Sequence, residues 1–282
     1  MQDKNKPPLR IGKIAYTNLF PIFYMLEKGN LSEYEIIDGF PSALNRMLRN
    51  GEIDISPSSS IEYLRYPDYY TIIEGHSISS KGPIRSIFLF SKRPVEELEG
   101  MTILTTSQSE TSVVLLDIIL KKFYKIECSL QPINGLSDLR SNEKEAFLLI
   151  GDDALKAKKT IFDMYVYDLG EVWYKHTGLP FVFALWIARK DCSTKKAELF
   201  ERFVHDLNKA KESAMNNLNE IAQELKLLLL NRHSLVVSEE ELVSYWKGIS
   251  YDFGDEHRRG LELFRKYSEE LGLLNKHSQT DR

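Results

Sequence analysis

Apolar positions at the front of the chain come in short runs separated by stretches with helical spacing. Residues 9–15 read as a strand, 21–28 as a helix opened by Pro21, 34–38 as a second strand and 41–49 as a helix closed by Gly51. A third strand over 53–56 runs into Pro57-Ser-Ser-Ser60. This alternation is the grammar of a parallel sheet, whose ligands collect at the carboxyl ends of strands. Those ends are Tyr16-Thr-Asn18 and the serine loop, both polar and short.

The pattern then repeats. An apolar strand over 84–91 and a short helix around 96–99 precede a strand over 101–104 and a helix over 111–124. Further strands are expected over 124–131, 146–150 (ending in Gly151-Asp-Asp-Ala154), 165–169 and 180–189, with a capped helix near 136–141. The segment 180–189 has almost no polar residue, which means burial on both faces. From residue 193 onward the spacing is helical, over 195–218, 219–231, 239–244 and 256–271, the last with Leu261, Phe264, Tyr267 and Leu271 on one stripe. The two apolar strands 84–91 and 181–189 bracket a complete βα segment. They predict an α/β protein of two lobes joined by two crossover strands, with a ligand cleft between them. Residues 1–88 and 188–282 form the first lobe and 89–187 an inserted second lobe.

One stretch carries more chemistry than its neighbours. Thr105-Thr-Ser-Gln-Ser-Glu-Thr-Ser112 packs six hydroxyls into eight residues, directly before Val113, Val114, Leu115 and Leu116. On a strand-to-helix turn these side chains join unpaired backbone N–H groups and the positive end of the helix dipole, a site suited to a carboxylate or phosphate. A plain N-cap needs only one of them.

Composition narrows the function. A chain of 282 residues suits two domains, and a net charge of −4 leaves no basic footprint for nucleic acid. No apolar run reaches membrane-spanning length and no secretory signal is read at residues 1–8, so a cytoplasmic protein without membrane association is expected. Cys128 and Cys192 stand in unrelated contexts and the six histidines are scattered, which gives neither a disulfide framework nor metal-ligand spacing. No internal repeat and no phosphate-binding glycine fingerprint is found, so no cofactor is implied.

Several motifs in order resemble one known family. They are Ile11-Gly-Lys-Ile-Ala-Tyr-Thr-Asn18 with Pro21-Ile-Phe23; Gly51-Glu-Ile-Asp54 with Ser58-Ser59 and Glu62-Tyr63; and Gly82-Pro-Ile-Arg-Ser86 with Leu89-Phe-Ser91. The hydroxyl-rich helix start, Gly151-Asp152 with Ala154-Leu155, and Gly178-Leu-Pro-Phe-Val-Phe-Ala184 with Trp186 complete the series. Together they resemble chorismate dehydratase of the futalosine route to menaquinone, a family with the bilobal type 2 periplasmic-binding-protein fold. The related 1,4-dihydroxy-6-naphthoate synthase opens with a Ser-Pro-Cys-Pro-Asn-like segment where Ala15-Tyr-Thr-Asn18 stands here.

The resemblance implies a dicarboxylate substrate, chorismate, that loses its C3 hydrogen and C4 hydroxyl as water. Ser107, Ser109, Thr111 and Ser112, with Thr106, are candidates for one carboxylate. Ser58, Ser59 or Ser86 is the candidate for the other, with Tyr16 and Gly151 on the cleft wall. Asp152 is the strongest protein carboxylate for the base role, with Asp54, Glu62 and His76 behind it. A further reading lets the substrate's own enolpyruvyl carboxylate take the proton, and Asn18 then orients it, since an amide is no base at neutral pH. Lys81 and Arg85 read as solvated loop charges and Trp186 as core. The rival classes are a non-catalytic cytoplasmic binding protein for a small carboxylate, which would close on its ligand without turnover, and the naphthoate synthase.

Overall fold

The strands sort into two five-stranded sheets built on the same plan. The computed structural model describes residues 7–29, 31–133, 145–231 and 237–274. The helix expected near 136–141 lies outside the described residues.

The first sheet has the order β2-β1-β3-β10-β4, made of β1 (Leu9–Ile14), β2 (Tyr34–Gly39), β3 (Ile55–Ser59), β4 (Tyr70–Ser80) and β10 (Phe181–Arg189). Helices α1 (Phe20–Glu27) and α2 (Pro41–Asn50) link its three parallel strands, and α3 (Ser60–Arg65) leaves β3 directly. The second sheet has the order β7-β6-β8-β5-β9, from β5 (Ile87–Ser91), β6 (Thr102–Thr106), β7 (Ser129–Ile133), β8 (Ala146–Ile150) and β9 (Tyr165–Asp168). In each sheet three parallel strands are followed by one antiparallel strand and then an edge strand. Helix α4 (Glu110–Ile118), prolonged by a π-helical turn to Tyr124, follows β6; α5 (Gly151–Thr160) follows β8; α6 (Leu169–Thr177) follows β9. The remaining chain is helical: α7 (Cys192–Lys195), α8 (Ala197–Asn216), α9 (Leu218–Asn231), α10 (Glu239–Lys247) and α11 (Asp255–Glu270). Helix α8 packs on α1, and α11 on β10 and α4.

The structure departs from the pattern expected of the sequence in several places. The strand expected over 124–131 is β7, which starts at Ser129, beyond the π-helical turn that runs to Tyr124. The strand expected over 84–91 is β5, which starts at Ile87 and lies in the second sheet, and the chain leaves the first sheet from β4, a strand the sequence hides. Its segment Glu74-Gly75-His76-Ser77 breaks the alternation: Gly75 takes φ +78°, and the pairing with β10 slips across the segment, between Ile72 and Ser77, and again between Ile78 and Ser79. Residues 57–59, read as loop, continue β3 because β10 pairs with them through Trp186 opposite Pro57. The chain therefore crosses between sheets over residues 81–86 and 169–180, and the expected division at 88/89 and 187/188 falls within β5 and β10.

The two crossings are clasped to each other. Asp168 accepts backbone N–H bonds from Ile84 (3.0 Å) and Arg85 (2.6 Å) on the outgoing crossing, and from Gly170 (3.0 Å) and Glu171 (3.1 Å) on the return. Gly170 sits so close that a Cβ there would fall 2.6 Å from Ser80 Oγ and 2.7 Å from the Gly82 carbonyl. A buried N–H left without a partner costs about 1 to 3 kcal/mol. Asp168→Ala should accordingly lower the unfolding free energy by at least about 3 kcal/mol, read by urea titration, with Asp168→Asn losing about half as much. A loss below about 1 kcal/mol for the alanine variant would show that the crossings hold without it.

Candidate active site

The carboxyl ends of the parallel strands in both sheets meet at one place. From the first sheet come the loop after β1, Tyr16-Thr-Asn18, and the β3–α3 junction at Ser59; from the second come the β6–α4 turn and the β8–α5 junction at Gly151. Their side chains enclose a cavity lined by Tyr16, Asn18, Ser59, Ser86, Ser109, Ser112 and Gly151, with an apolar wall that includes Ile14, Ile84, Ile87 and Phe183.

Tyr16 closes the cavity by donating its phenolic hydrogen to Gln108 Oε1 (2.8 Å), a bond between equivalent loops of the two sheets. Burial, then the charges of Asp152 and Asp153, raise the Tyr16 pKa, so the phenol remains a neutral donor. Opposite it, Gly151 takes φ +56°, donates its N–H to the Ser86 carbonyl (2.7 Å), and a Cβ there would rest 3.8 Å from the Tyr16 ring. From behind, Trp246 Nε1 donates to the Thr17 carbonyl (2.8 Å) and the Tyr251 hydroxyl to the Asn18 carbonyl (2.7 Å), which leaves the Asn18 side chain free to face the cavity. The Asn18 amide oxygen is buried and, among the described residues, without a protein partner. A buried acceptor of that kind is costly unless a ligand or water completes it.

The hydroxyl run divides its work. Ser109 caps α4, accepting from the Ser112 N–H (3.4 Å), and its oxygen lies 3.0 Å from Ser112 Oγ; both face the cavity. Thr111 instead accepts from the Ile61 N–H (3.2 Å) and lies 3.5 Å from Ser60 Oγ, fastening α4 to α3. Thr106 accepts from the Gln108 N–H (3.1 Å), and with Ser107 it lines a separate groove beside Arg65 and Leu130. Ser59 accepts from Asn45 Nδ2 (2.9 Å), whereas Ser58 is fully buried within β3, its hydroxyl without a partner among the described residues.

Asp152 stands in the first turn of α5, next to Gly151 and outside the residues that line the cavity. Burial raises its pKa against the pull of the Thr17 hydroxyl and N–H, which both bond to it, while its Oδ1 has no partner among the described residues. The other carboxylates are engaged. Glu62 accepts from Tyr70 (2.6 Å) and Arg49 (2.7 Å), and Asp54 from Arg10 and Lys196. His76 bonds to Asn208 of α8 (3.0 Å), away from the cavity. Lys81 pairs with Glu256, Arg85 reaches Ser244, and Trp186 packs against Phe23 in the core. Gln108, Tyr245, Trp246 and Tyr251 went unnoticed in the sequence. Gln108 lay within the hydroxyl run, but Trp246 and Tyr251 are more than two hundred residues from the loop they hold, Tyr245 is 159 residues from its partner Ser86, and none of the three carries a local signal.

A family model described as menaquinone biosynthesis matches residues 9–270. The chain is 29% identical to a chorismate dehydratase of Thermus thermophilus, over 94% of this chain and 96% of that protein. It is 30% identical to a chorismate dehydratase of Campylobacter jejuni, over 71% and 74%. A 1,4-dihydroxy-6-naphtoate synthase of Thermus thermophilus is 24% identical over 94% and 95%. Among solved structures, the periplasmic aliphatic sulphonate binding protein of Escherichia coli superimposes with a TM-score of 0.67 over 96% of this chain and 95% of that one, at 13% identity. That likeness shows the fold: two lobes of the periplasmic-binding-protein type. No helix among the described residues is long and apolar enough to cross a membrane.

The displaced histidine has a measurable consequence. Burial, with the Lys211 charge nearby, pushes His76 down to about 4 from 6.5. Between those values the unfolded chain binds a proton that the folded protein does not. Stability is therefore complete above about pH 6.5 and declines as the pH falls toward 4, by up to about 3 kcal/mol. Urea titrations at pH 7 and 4.5 should show this decline, and His76→Gln should flatten it; equal slopes in both proteins would place the pH dependence elsewhere.

Proposed function

The chain belongs to the menaquinone-biosynthesis family, and from that membership and the cavity between its sheets we propose that it is a chorismate dehydratase. It is then a hydro-lyase, converting chorismate to 3-[(1-carboxyvinyl)oxy]benzoate by loss of water. A freely diffusing dicarboxylate substrate, together with the lack of a membrane-crossing helix among the described residues, supports a cytoplasmic enzyme. The crossings at 81–86 and 169–180 are, in this reading, the hinge between a discontinuous first lobe and an inserted second lobe.

The observation that carries the reading is the lining of the cavity. It combines serine hydroxyls, the Asn18 amide and an apolar wall, and among the described residues that line it none bears a carboxylate, imidazole or amine. Such a lining suits an anionic ring with two carboxylates, and it leaves the proton transfer to the substrate. The C3–H bond breaks toward the enolpyruvyl carboxylate carried on the same carbon. The electron pair spreads through the ring onto the ring carboxylate, where hydroxyl and helix-terminal donors stabilise it. The C4–O bond then breaks, and the departing hydroxide takes the proton from the enolpyruvic acid as water. Both carboxylates survive and the ring becomes aromatic.

In this mechanism Asn18 holds the reacting group. Its amide donates to the enolpyruvyl carboxylate or accepts from the C4 hydroxyl, and fixing one rotamer can supply several kcal/mol of the barrier. Ser109 and Ser112, beside the start of α4, and Ser59 and Ser86 on the other walls serve the two carboxylates. Asp152 keeps the loop in place through Thr17. The related naphthoate synthase shares the fold but is the more distant relative in sequence.

Purified protein incubated with chorismate should yield a product lighter by one water, with new aromatic proton signals. Saturable binding without turnover would instead make it a binding protein. Asn18→Ala should lower kcat by about a hundredfold or more with little change in unfolding midpoint. Asp152→Asn should stay within about fivefold of the parent kcat, whereas a loss like that of a missing general base, about a hundredfold or more, would return the proton transfer to Asp152.

A further inference from the structure

Ser86 reaches the cavity from a strained turn of the outgoing crossing. It follows Arg85, a non-glycine residue at φ +64°, a left-handed conformation that costs an L-residue on the order of 1 kcal/mol. The turn is held on three sides. Asp168 takes the Ile84 and Arg85 N–H groups, the Arg85 guanidinium donates to the Ser244 hydroxyl (2.9 Å) and carbonyl (3.2 Å), and the Ser86 carbonyl accepts from Gly151. The Ser86 side chain meets the residue after Ser244: the Tyr245 hydroxyl donates to Ser86 Oγ at 2.9 Å, with both groups buried.

A serine hydroxyl has one proton and two lone pairs. The Tyr245 hydrogen occupies a lone pair, and among the described residues the Ser86 proton meets no protein acceptor. Resting on the dehydratase reading of the same cavity, we propose that Tyr245 is a positioning residue that turns the Ser86 hydroxyl proton into the cavity. The outgoing crossing thereby presents a fixed donor to the ring carboxylate of the substrate. A serine without a partner behind it can present either its proton or its lone pairs, and so discriminates poorly between an acceptor and a donor. With Tyr245 in place it favours an anionic acceptor, to which hydrogen bonds are roughly twice as strong as to a neutral one. Tyr245 touches neither substrate nor reacting atoms, and the phenol, whose pKa burial raises, keeps its hydrogen throughout.

The test uses Tyr245→Phe, Ser86→Ala and the double variant, with two probes measured by calorimetry: 3-(carboxymethoxy)benzoate and its ring carboxamide. The unaltered protein should bind the acid more tightly than the amide. In Tyr245→Phe the acid should weaken by about tenfold and the amide by less than about threefold, with KM for chorismate rising and kcat within about threefold. Ser86→Ala should lose the same preference, and Tyr245→Phe should cost nothing further in its background. Equal weakening of acid and amide, or an undiminished effect in the Ser86→Ala background, would overturn the inference while chorismate turnover left the function standing. If Tyr245→Phe folds poorly, Ser86→Ala alone decides, because unchanged acid preference there overturns it. A protein that prefers the acid through this pair yet does not turn over chorismate would refute the dehydratase and uphold the inference.

Discussion

Four backbone N–H groups converge on one buried carboxylate, and the relation between the two halves of the molecule follows from that convergence. Asp168 binds both passages of chain between the sheets at a single point, and Gly170 lets them approach without an intervening side chain. The same clasp forces Arg85 into its left-handed turn, sets Ser86 at the cavity wall, and through the Ser86 carbonyl fixes the Gly151 N–H at the start of α5. It also allows a strained residue to be kept, because neighbouring bonds more than offset its cost.

The sheets repeat one another in strand order although the chain shows no repeat in sequence. Each presents the carboxyl ends of its parallel strands, so both halves offer the same kind of junction: a short polar loop, a helix beginning, a buried hydroxyl or glycine. The chemical difference between the walls lies in individual side chains. Tyr16 and Asn18 come from one half, and Gln108, Ser109 and Ser112 from its counterpart.

Much of this was legible before any coordinates. The strand at 146–150 and the helices at 41–49 and 219–231 follow from apolar runs closed by glycine or polar residues, because local spacing and burial agree there. What stayed hidden depended on partners distant in the chain. Strand β4 is a mixed segment whose strand character comes from pairing with β10, a hundred residues later, and Pro57 stays in a strand for the same reason. At the site, polarity at strand ends pointed to Tyr16, Asn18, Ser59, Ser109, Ser112 and Gly151, and the family resemblance to Ser86; the fold brings these together. Polarity could not separate them from Thr106, Ser107 and Thr111, whose hydroxyls serve the turn, a neighbouring groove and the α3–α4 contact. Hydroxyl content records capacity for hydrogen bonding, and the direction of a side chain is set by packing.

The carbonyls of Thr17 and Asn18 are held by Trp246 and Tyr251, so on the ribosome this loop waits for partners made more than two hundred positions later. Until synthesis has passed residue 251 the loop that carries Asn18 has no support behind it, and contacts of such long sequence separation form late and slowly. A nascent chain can complete its second sheet while the binding loop is still unbraced. The loop that carries Asn18 is thus braced only when α10 and the segment after it close over it.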